Sequence, residues 1–291
     1  MESKDLPQGT GAVQWVSTDW LLAHHQDANL PIVDTQPDIH DYIKAHVPGA
    51  VYLPEKTQRI FWHSLPGEWI PVEAAQALFR SLGLRADEPT VVYTGTGLVK
   101  GWGDGLEQAM LAYSLVRFGH NLVYLLDGGL NRWLKEGKPT SQLFPTSRES
   151  DFGAEVRAEM FVGYEEFKHI KDAPDVIVLD ARPANVYAGE GPWMRNGHIP
   201  GAVNLPWRTL MDADNPALLK PLDEILGLVA ARGVPQDRLV ICTCGTGREA
   251  TNEYLLFKHR LGYPRVRLYE GSFTEWSQHP ENDVVKGPSP R

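Results

Sequence analysis

The chain is 291 residues long, 42% hydrophobic and 22% charged, with a formal net charge of −9. That length suits two domains of ordinary size. The acidic balance leaves no basic surplus for a nucleic-acid backbone, and the absence of any run of about eighteen apolar residues argues against a membrane helix.

Met1 to Gln14 is polar, carries Pro7, Gly9 and Gly11, and lacks the basic-then-apolar order of a secretory signal, so it reads as a loose tail. His24 and His25 fall on a surface helix with no second ligand cluster nearby, and no metal site is expected. Ile32-Val33 reads as a buried strand. A helix is predicted from Pro71 to Leu82, opened by proline and closed at Gly83. The strand Val91-Val92-Tyr93 follows, then a helix with Ala109, Tyr113 and Val116 on one face, then the strand Leu122 to Leu125. Lys138 to Gly153 is rich in Pro, Ser and Thr and reads as a linker. Beyond it come apolar strands at Val176 to Asp180 and Leu239 to Cys242. A helix with Ala250, Tyr254, Phe257 and Leu261 on one face is ended by Gly262 and Pro264. This alternation implies α/β domains built on mainly parallel sheets.

The chain contains itself twice. Pro31-Ile32-Val33-Asp34 matches Val176 to Asp180, and His46-Val47-Pro48-Gly49-Ala50-Val51 matches His198 to Val203. Val91 to Gly97 matches Ile241 to Gly247 with Thr94 set against Cys244, and Leu126 to Gly129 with Trp133 matches Tyr269 to Ser272 with Trp276. Four matches in one order indicate duplicated domains. We expect them at 12–140 and 159–285, joined by a linker at 141–158. Asp34, Asp180, His46 and His198 recur whether or not the cysteine does, which makes structural roles the better expectation for all four.

The two cysteines, Cys242 and Cys244, stand one residue apart, a poor spacing for a structural disulfide, so a reducing cytoplasmic setting is expected. Cys242 belongs to the apolar strand and reads as core. Cys244 opens the loop Cys244-Gly245-Thr246-Gly247-Arg248-Glu249 between a strand and a helix. Glycines let successive N–H groups converge on one point, and the helix start adds positive potential. A thiol placed there is expected to ionise more easily than usual, with Arg248 adding a full charge. Glu249 is favourable at a helix start and would discriminate against highly anionic ligands. Cys242 and Arg248 also spell the Cys-x5-Arg pattern of cysteine phosphatases, and paired thiols also suit a sulfur-carrier or redox-sensing module.

With the Gly197-His198-Ile199-Pro200-Gly201-Ala202 stretch and the Leu268 to Trp276 stretch, this loop resembles that of the tandem rhodanese-type sulfurtransferases. The resemblance implies two α/β rhodanese domains and a persulfide carried on Cys244. The first domain would be a degenerate copy with Thr94 in place of the nucleophile. It implies a small-molecule sulfur donor, thiosulfate or 3-mercaptopyruvate, and a thiophilic acceptor such as cyanide or a thiol, thioredoxin and glutathione among them. No cofactor is implied. The loop amides of Gly245, Thr246, Gly247, Arg248 and Glu249 would hold the anion, and Arg182, Arg195 and Arg248 would bind the donor. The loop departs from both branches of the family: the thiosulfate branch has Arg-Lys where Gly245-Thr246 stand, and the mercaptopyruvate branch has Val-Thr where Arg248-Glu249 stand.

Overall fold

A computed structural model of the chain describes residues 6–291. By contacts, the chain forms two compact units. Among the described residues, 6–59, 69–157 and 212–219 make the first, and 60–68, 158–211 and 220–291 make the second.

In the first unit, strands β1 (Val13–Val16), β2 (Ile32–Asp34) and β3 (Val51–Tyr52) alternate with helices α1 (Thr18–His24) and α2 (Ile39–Lys44). Strands β4 (Arg59–Trp62) and β5 (Leu65–Trp69), whose residues 60–68 belong to the second unit, pair with each other as a separate two-stranded sheet. Helix α3 (Val72–Ser81), strand β6 (Thr90–Tyr93), helix α4 (Leu106–Arg117), strand β7 (Val123–Leu126) and helix α5 (Gly129–Lys135) complete the unit. The five-stranded sheet has the order β1-β7-β6-β2-β3, and all its pairs are parallel.

The second unit repeats the plan. Strand β8 (Phe161–Val162), helix α6 (Tyr164–Ile170), and strands β9 (Val176–Asp180) and β10 (Val203–Asn204) come first. Helix α7 (Leu222–Ala231), strand β11 (Leu239–Thr243), helix α8 (Glu249–Leu255), strand β12 (Val266–Tyr269) and helix α9 (Ser272–Gln278) follow. Its sheet, β8-β12-β11-β9-β10, is also wholly parallel and has the first sheet's order. The α/β duplication expected from the sequence is therefore present strand for strand. The central strands of each sheet are buried on both faces, which is why β6, β9 and β11 read as largely apolar runs.

The recurring histidines hold terminal segments in both copies. His46 hydrogen bonds through its two ring nitrogens to the carbonyls of Tyr42 and Leu143, and stacks on Tyr42 at 4.2 Å. His198 does the same with the carbonyls of Tyr187 and Ser289, and stacks on Tyr187 at 3.6 Å. The recurring aspartates close the strand-end turn: Asp34 Oδ1 accepts from Gln36 N at 2.8 Å, and Asp180 Oδ1 from Arg182 N at 3.1 Å.

Three expectations change. Residues 1–5 of the expected tail lie outside the described residues, but Gln8 exchanges both backbone hydrogen bonds with Trp15 at 2.7–2.8 Å, and Val13 and Gln14 belong to β1. This part of the segment is a paired edge rather than a loose tail. The stretch read as a linker is bonded along its length to the first unit: Ser141 pairs with His46, Ser150 N donates to Arg80 O, and Phe152 is buried. Residues 212–219, expected in the second domain, cluster with the first unit. Ala217 O accepts from Gly128 N at 3.0 Å and Gln108 Nε2 at 3.3 Å, and Asn215 Nδ2 donates to Gly128 O at 2.8 Å.

Asp34 is fully buried, and burial pushes its carboxyl up to about 6, against hydrogen bonds from Tyr93 and Gln36 that act to lower it. The folded state therefore keeps a proton that the unfolded chain has lost. The stabilisation is complete below pH 3.8, the unfolded value, and fades as pH rises toward 6. Relative to Asp34→Asn, which mimics the protonated form, wild-type stability should fall by on the order of 3 kcal/mol across that window. Denaturant titrations of both proteins at several pH values check this, and a pH-independent difference would contradict it.

Candidate active site

Strand β11 lies at the centre of its sheet and delivers Cys244 at its C-terminal end, where ligands gather in open α/β sheets. The loop is held from outside by α9. Phe273 N donates to Cys244 O at 3.0 Å, and Thr274 N and Oγ1 donate to Gly245 O at 2.9 and 2.8 Å. With its carbonyls turned outward, the loop turns N–H groups inward, and Gly247 N donates to Cys244 Sγ at 3.1 Å. Cys244 N donates to Ser272 Oγ at 3.2 Å, and Ser272 Oγ donates to Tyr269 O.

The two loop glycines have steric reasons. Gly247 adopts φ +82, and a Cβ there would stand 2.6 Å from Glu270 O. A Cβ on Gly245 would meet the Trp193 ring at 2.8 Å. Trp193 covers the loop and is fixed by its Nε1–H to Thr274 Oγ1 at 2.9 Å.

The electrostatics differ from the sequence expectation. Cys244 is wholly buried, and its thiol is held well above the ordinary range, not below it. Burial is the largest cause, followed by the charge of Glu249 and the thiol's hydrogen bond to that carboxylate. The N–H groups of Ala250 and Thr246 act in the opposite direction but do not win. Thr246, Arg248 and Glu249 are half-exposed at the loop's rim.

Of the expected donor-binding arginines, Arg195 is engaged by chain carbonyls, while Arg182 is ion-paired but keeps Nη1 without a hydrogen-bond partner. Arg182 is 1% exposed and paired with fully buried Asp180, through Nε at 2.9 and 3.1 Å and Nη2 at 2.5 Å, with Nη2 also donating to Gly197 O. Its guanidinium lies over Phe273 at 4.3 Å and Trp193 at 5.3 Å, its Cδ would stand 3.7 Å from a Cβ on Gly245, and its buried Nη1 has no hydrogen-bond partner. Arg195 donates to the carbonyls of His279 and Asn282, tying down the segment after α9.

Sequence reasoning gave no role to Trp193, Ser272 or Glu253. Glu253 is fully buried one turn beyond Glu249, and neither of its carboxylate oxygens has a hydrogen-bond partner. Burial holds it far above the usual carboxylate range, hence protonated. Its signal was a charged residue on the apolar face that Ala250, Tyr254 and Phe257 share. Cys242 is fully buried within β11, and burial raises its thiol strongly.

The first unit presents the same loop position with different chemistry. Thr94 Oγ1 donates to buried Glu107 at 3.2 Å, and Thr94 N donates to Gln108 Oε1. Gln36 stands where Arg182 stands in the second unit, with Nε2 donating to Asp34 Oδ2 at 2.9 Å. Among the described residues no cluster of His, Cys, Asp or Glu could hold a metal ion, and no helix is long and apolar enough to cross a membrane.

Comparison with known proteins agrees with this geometry. The family described as Rhodanese-like domain matches residues 17–136 and again 164–279. A protein named putative thiosulfate sulfurtransferase from Synechococcus elongatus is 35% identical, over 91% of this chain and 83% of its own length. The sulfur carrier protein TtuD of Thermus thermophilus is 30% identical, over 94% of this chain and 96% of its own. The crystal structure of SseA from Escherichia coli, a 3-mercaptopyruvate sulfotransferase, superposes with a TM-score of 0.78 at 28% identity, covering 89% of this chain and 98% of that one.

Proposed function

The chain belongs to the rhodanese-like family and carries its domain twice, and from that premise we propose that it is a sulfurtransferase working through a persulfide on Cys244. The observation that carries the assignment is the Gly247 N–H aimed at Cys244 Sγ from a loop whose glycines are sterically required. Ionised Cys244 attacks the outer sulfur of a small-molecule donor, thiosulfate or 3-mercaptopyruvate, and the remainder of the donor leaves. The resulting persulfide anion is held by the loop amides of Gly245 to Glu249. An acceptor, cyanide or a thiol such as glutathione or thioredoxin, then attacks the outer sulfur and restores the thiolate. Donors reach the sulfur over the rim formed by Thr246, Arg248 and Glu249. Arg195 acts here as a positioning residue, and Arg182, whose Nη1 is left without a hydrogen-bond partner beside the loop, binds the anionic group of the donor. The first domain is a degenerate copy, since Thr94 cannot carry a persulfide. Two unpaired thiols suit a reducing, cytoplasmic setting.

The amides act on Cys244 and not on Cys242, which weighs against a phosphatase built on Cys242 and Arg248. A sulfur-carrier role is the second reading, favoured by the likeness to TtuD. Mass spectrometry tests the assignment. After incubation with thiosulfate or 3-mercaptopyruvate, the protein should gain one sulfur atom on the peptide bearing Cys244, and cyanide should remove it. Sulfur found on Cys242, or no adduct with either donor, would contradict the proposal. Many turnovers with cyanide mark an enzyme, and a single discharge marks a carrier.

A further inference from the structure

We propose that Trp193 is an aromatic gate over Cys244, and that it sorts by size the molecules that take sulfur from the cysteine. This rests on Cys244 being the residue that carries sulfur. Cys244 has no exposed surface. The next residue in its loop, Gly245, lies directly under the half-buried Trp193 ring, where an added Cβ would meet ring carbons at 2.8 and 2.9 Å. The unpartnered Nη1 of Arg182 belongs to the same corner. The Arg182 guanidinium is 5.3 Å from the Trp193 ring, and its Cδ is 3.7 Å from that Cβ position. A molecule that crosses the rim, sets an anionic group on Arg182 and meets the sulfur of Cys244 therefore runs along Gly245, through the place the ring covers.

The frame around the ring is fixed, and the ring itself is lightly held. The segment from Ala188 to His198 has both its feet on the C-terminal tail. Gly287 N donates to Ala188 O at 2.9 Å, and His198 and Val285 exchange both backbone hydrogen bonds at 2.9 and 3.0 Å. Between the feet, Arg195 is anchored on His279 O at 2.7 Å. The Trp193 ring makes one hydrogen bond, Nε1–H to Thr274 Oγ1 at 2.9 Å, and meets Phe273 edge-on at 5.2 Å. Gly191 gives the ring its room, since a Cβ there would stand 2.6 Å from it. Opening therefore breaks one hydrogen bond and turns one side chain while the backbone stays in place. A single neutral hydrogen bond is a modest net contribution, so the open form is a minor state of roughly 0.1–10%. Thr274 is the latch. Its hydroxyl donates on to Gly245 O at 2.8 Å, and its N–H holds the same carbonyl at 2.9 Å, so the loop keeps a tie when the hydroxyl is removed.

The gated step needs no external oxidant or reductant. The acceptor's electron pair forms a bond to the outer sulfur of the persulfide, the S–S bond breaks, and its electron pair returns to Cys244 as the thiolate. Cyanide leaves as thiocyanate, and the glutathione thiolate leaves as glutathione persulfide. Cyanide is a two-atom rod and needs a slit beside the ring. A tripeptide thiol brings its chain along and needs the ring turned away. A closed ring thus keeps the loaded sulfur from bulky thiols between turnovers, as active-site covers keep reactive intermediates from side reactions.

The test loads wild type, Trp193→Ala, Trp193→Phe and Thr274→Val with sulfur from thiosulfate or 3-mercaptopyruvate, then follows discharge by cyanide and by glutathione. Alkylation of the unloaded proteins by iodoacetamide, located on Cys244 by fragment masses, is followed beside it. In Trp193→Ala the ratio of second-order rate constants, glutathione over cyanide, should rise by about 10-fold or more, the factor released when a minor open state becomes the resting one. Alkylation should accelerate by a similar factor. Trp193→Phe keeps a ring without the N–H, and Thr274→Val keeps the ring without its latch. Each should raise the ratio by a smaller factor, and the double variant should exceed neither, because both changes remove the same bond. A residue that merely packs would not sort acceptors by size. An unchanged ratio in a Trp193→Ala protein that melts like wild type, or equal acceleration with both acceptors, overturns the proposal. If Trp193→Ala does not fold, an unchanged ratio in both Trp193→Phe and Thr274→Val overturns it instead. A wild type that takes no sulfur on Cys244 from either donor overturns the sulfurtransferase reading. Alkylation then judges the gate alone, and no acceleration in any variant overturns it.

Discussion

Cys244→Ser should lower sulfur transfer to cyanide by about 10³-fold or more, while Cys242→Ser should keep kcat/KM within about 3-fold of wild type. The two thiols lie one residue apart on the same strand end, and both are fully buried. Chemical character alone does not separate them, but their surroundings do. Cys244 Sγ receives an amide hydrogen and faces a carboxylate at the loop's rim. Cys242 sits within β11, its backbone in register with Leu268 and Leu179, with protonated Glu253 nearby. A serine oxygen at 244 fits the loop but cannot form a persulfide. At 242 the hydroxyl enters an apolar setting and should cost stability, about 1–3 kcal/mol, without touching the chemistry. Steady-state kinetics beside thermal melts of both variants check this. Full activity in Cys244→Ser, or its loss in a well-folded Cys242→Ser, would reverse the assignment.

Asp180→Ala should destabilise the second unit by about 3–5 kcal/mol, the usual cost of leaving a buried charge without its partner. Arg182 has 1% of its surface exposed, and three of its side-chain hydrogen bonds end on Asp180. Removing the carboxylate strands a buried guanidinium against Phe273 and Trp193. Arg182→Gln is the informative companion, because the first unit already uses that solution: Gln36 donates to Asp34 through both its backbone N–H and its side-chain amide. It should cost less than about 2 kcal/mol. It should also make stability depend on pH as Asp34 does, since Asp180 would lose its neutralising charge. Denaturant midpoints for both variants decide the matter. Equal losses would mean that the charge pair itself contributes little.

Much of the fold is legible in the chain because strands buried on both faces must be apolar throughout, and because the His46 and His198 segments and the paired loops repeat in one order. The loop's glycines and its cysteine are legible for a similar reason: each answers a local steric or electrostatic demand. What the sequence does not show depends on partners far away in the chain. The direction of the Cys244 shift turns on burial under Trp193, whose approach to Gly245 has no local signature. The fates of Arg182 and Arg195 turn on which acceptors they meet, a carboxylate in one case and chain carbonyls in the other. The pairing of Gln8 with Trp15 is also hidden, since a short polar edge carries no periodicity.

The seating of Asp212–Leu219 on Gly128 and Gln108 bears on how this protein is made. Domains usually finish folding in the order in which they emerge from the ribosome. Here the earlier unit lacks one of its own pieces until residue 219 has been synthesised, well after strands β8 to β10 of the later unit. The nascent N-terminal half must wait with the polar groups of Gly128 and Gln108 open to water, and the two copies, although born of one duplication, mature together.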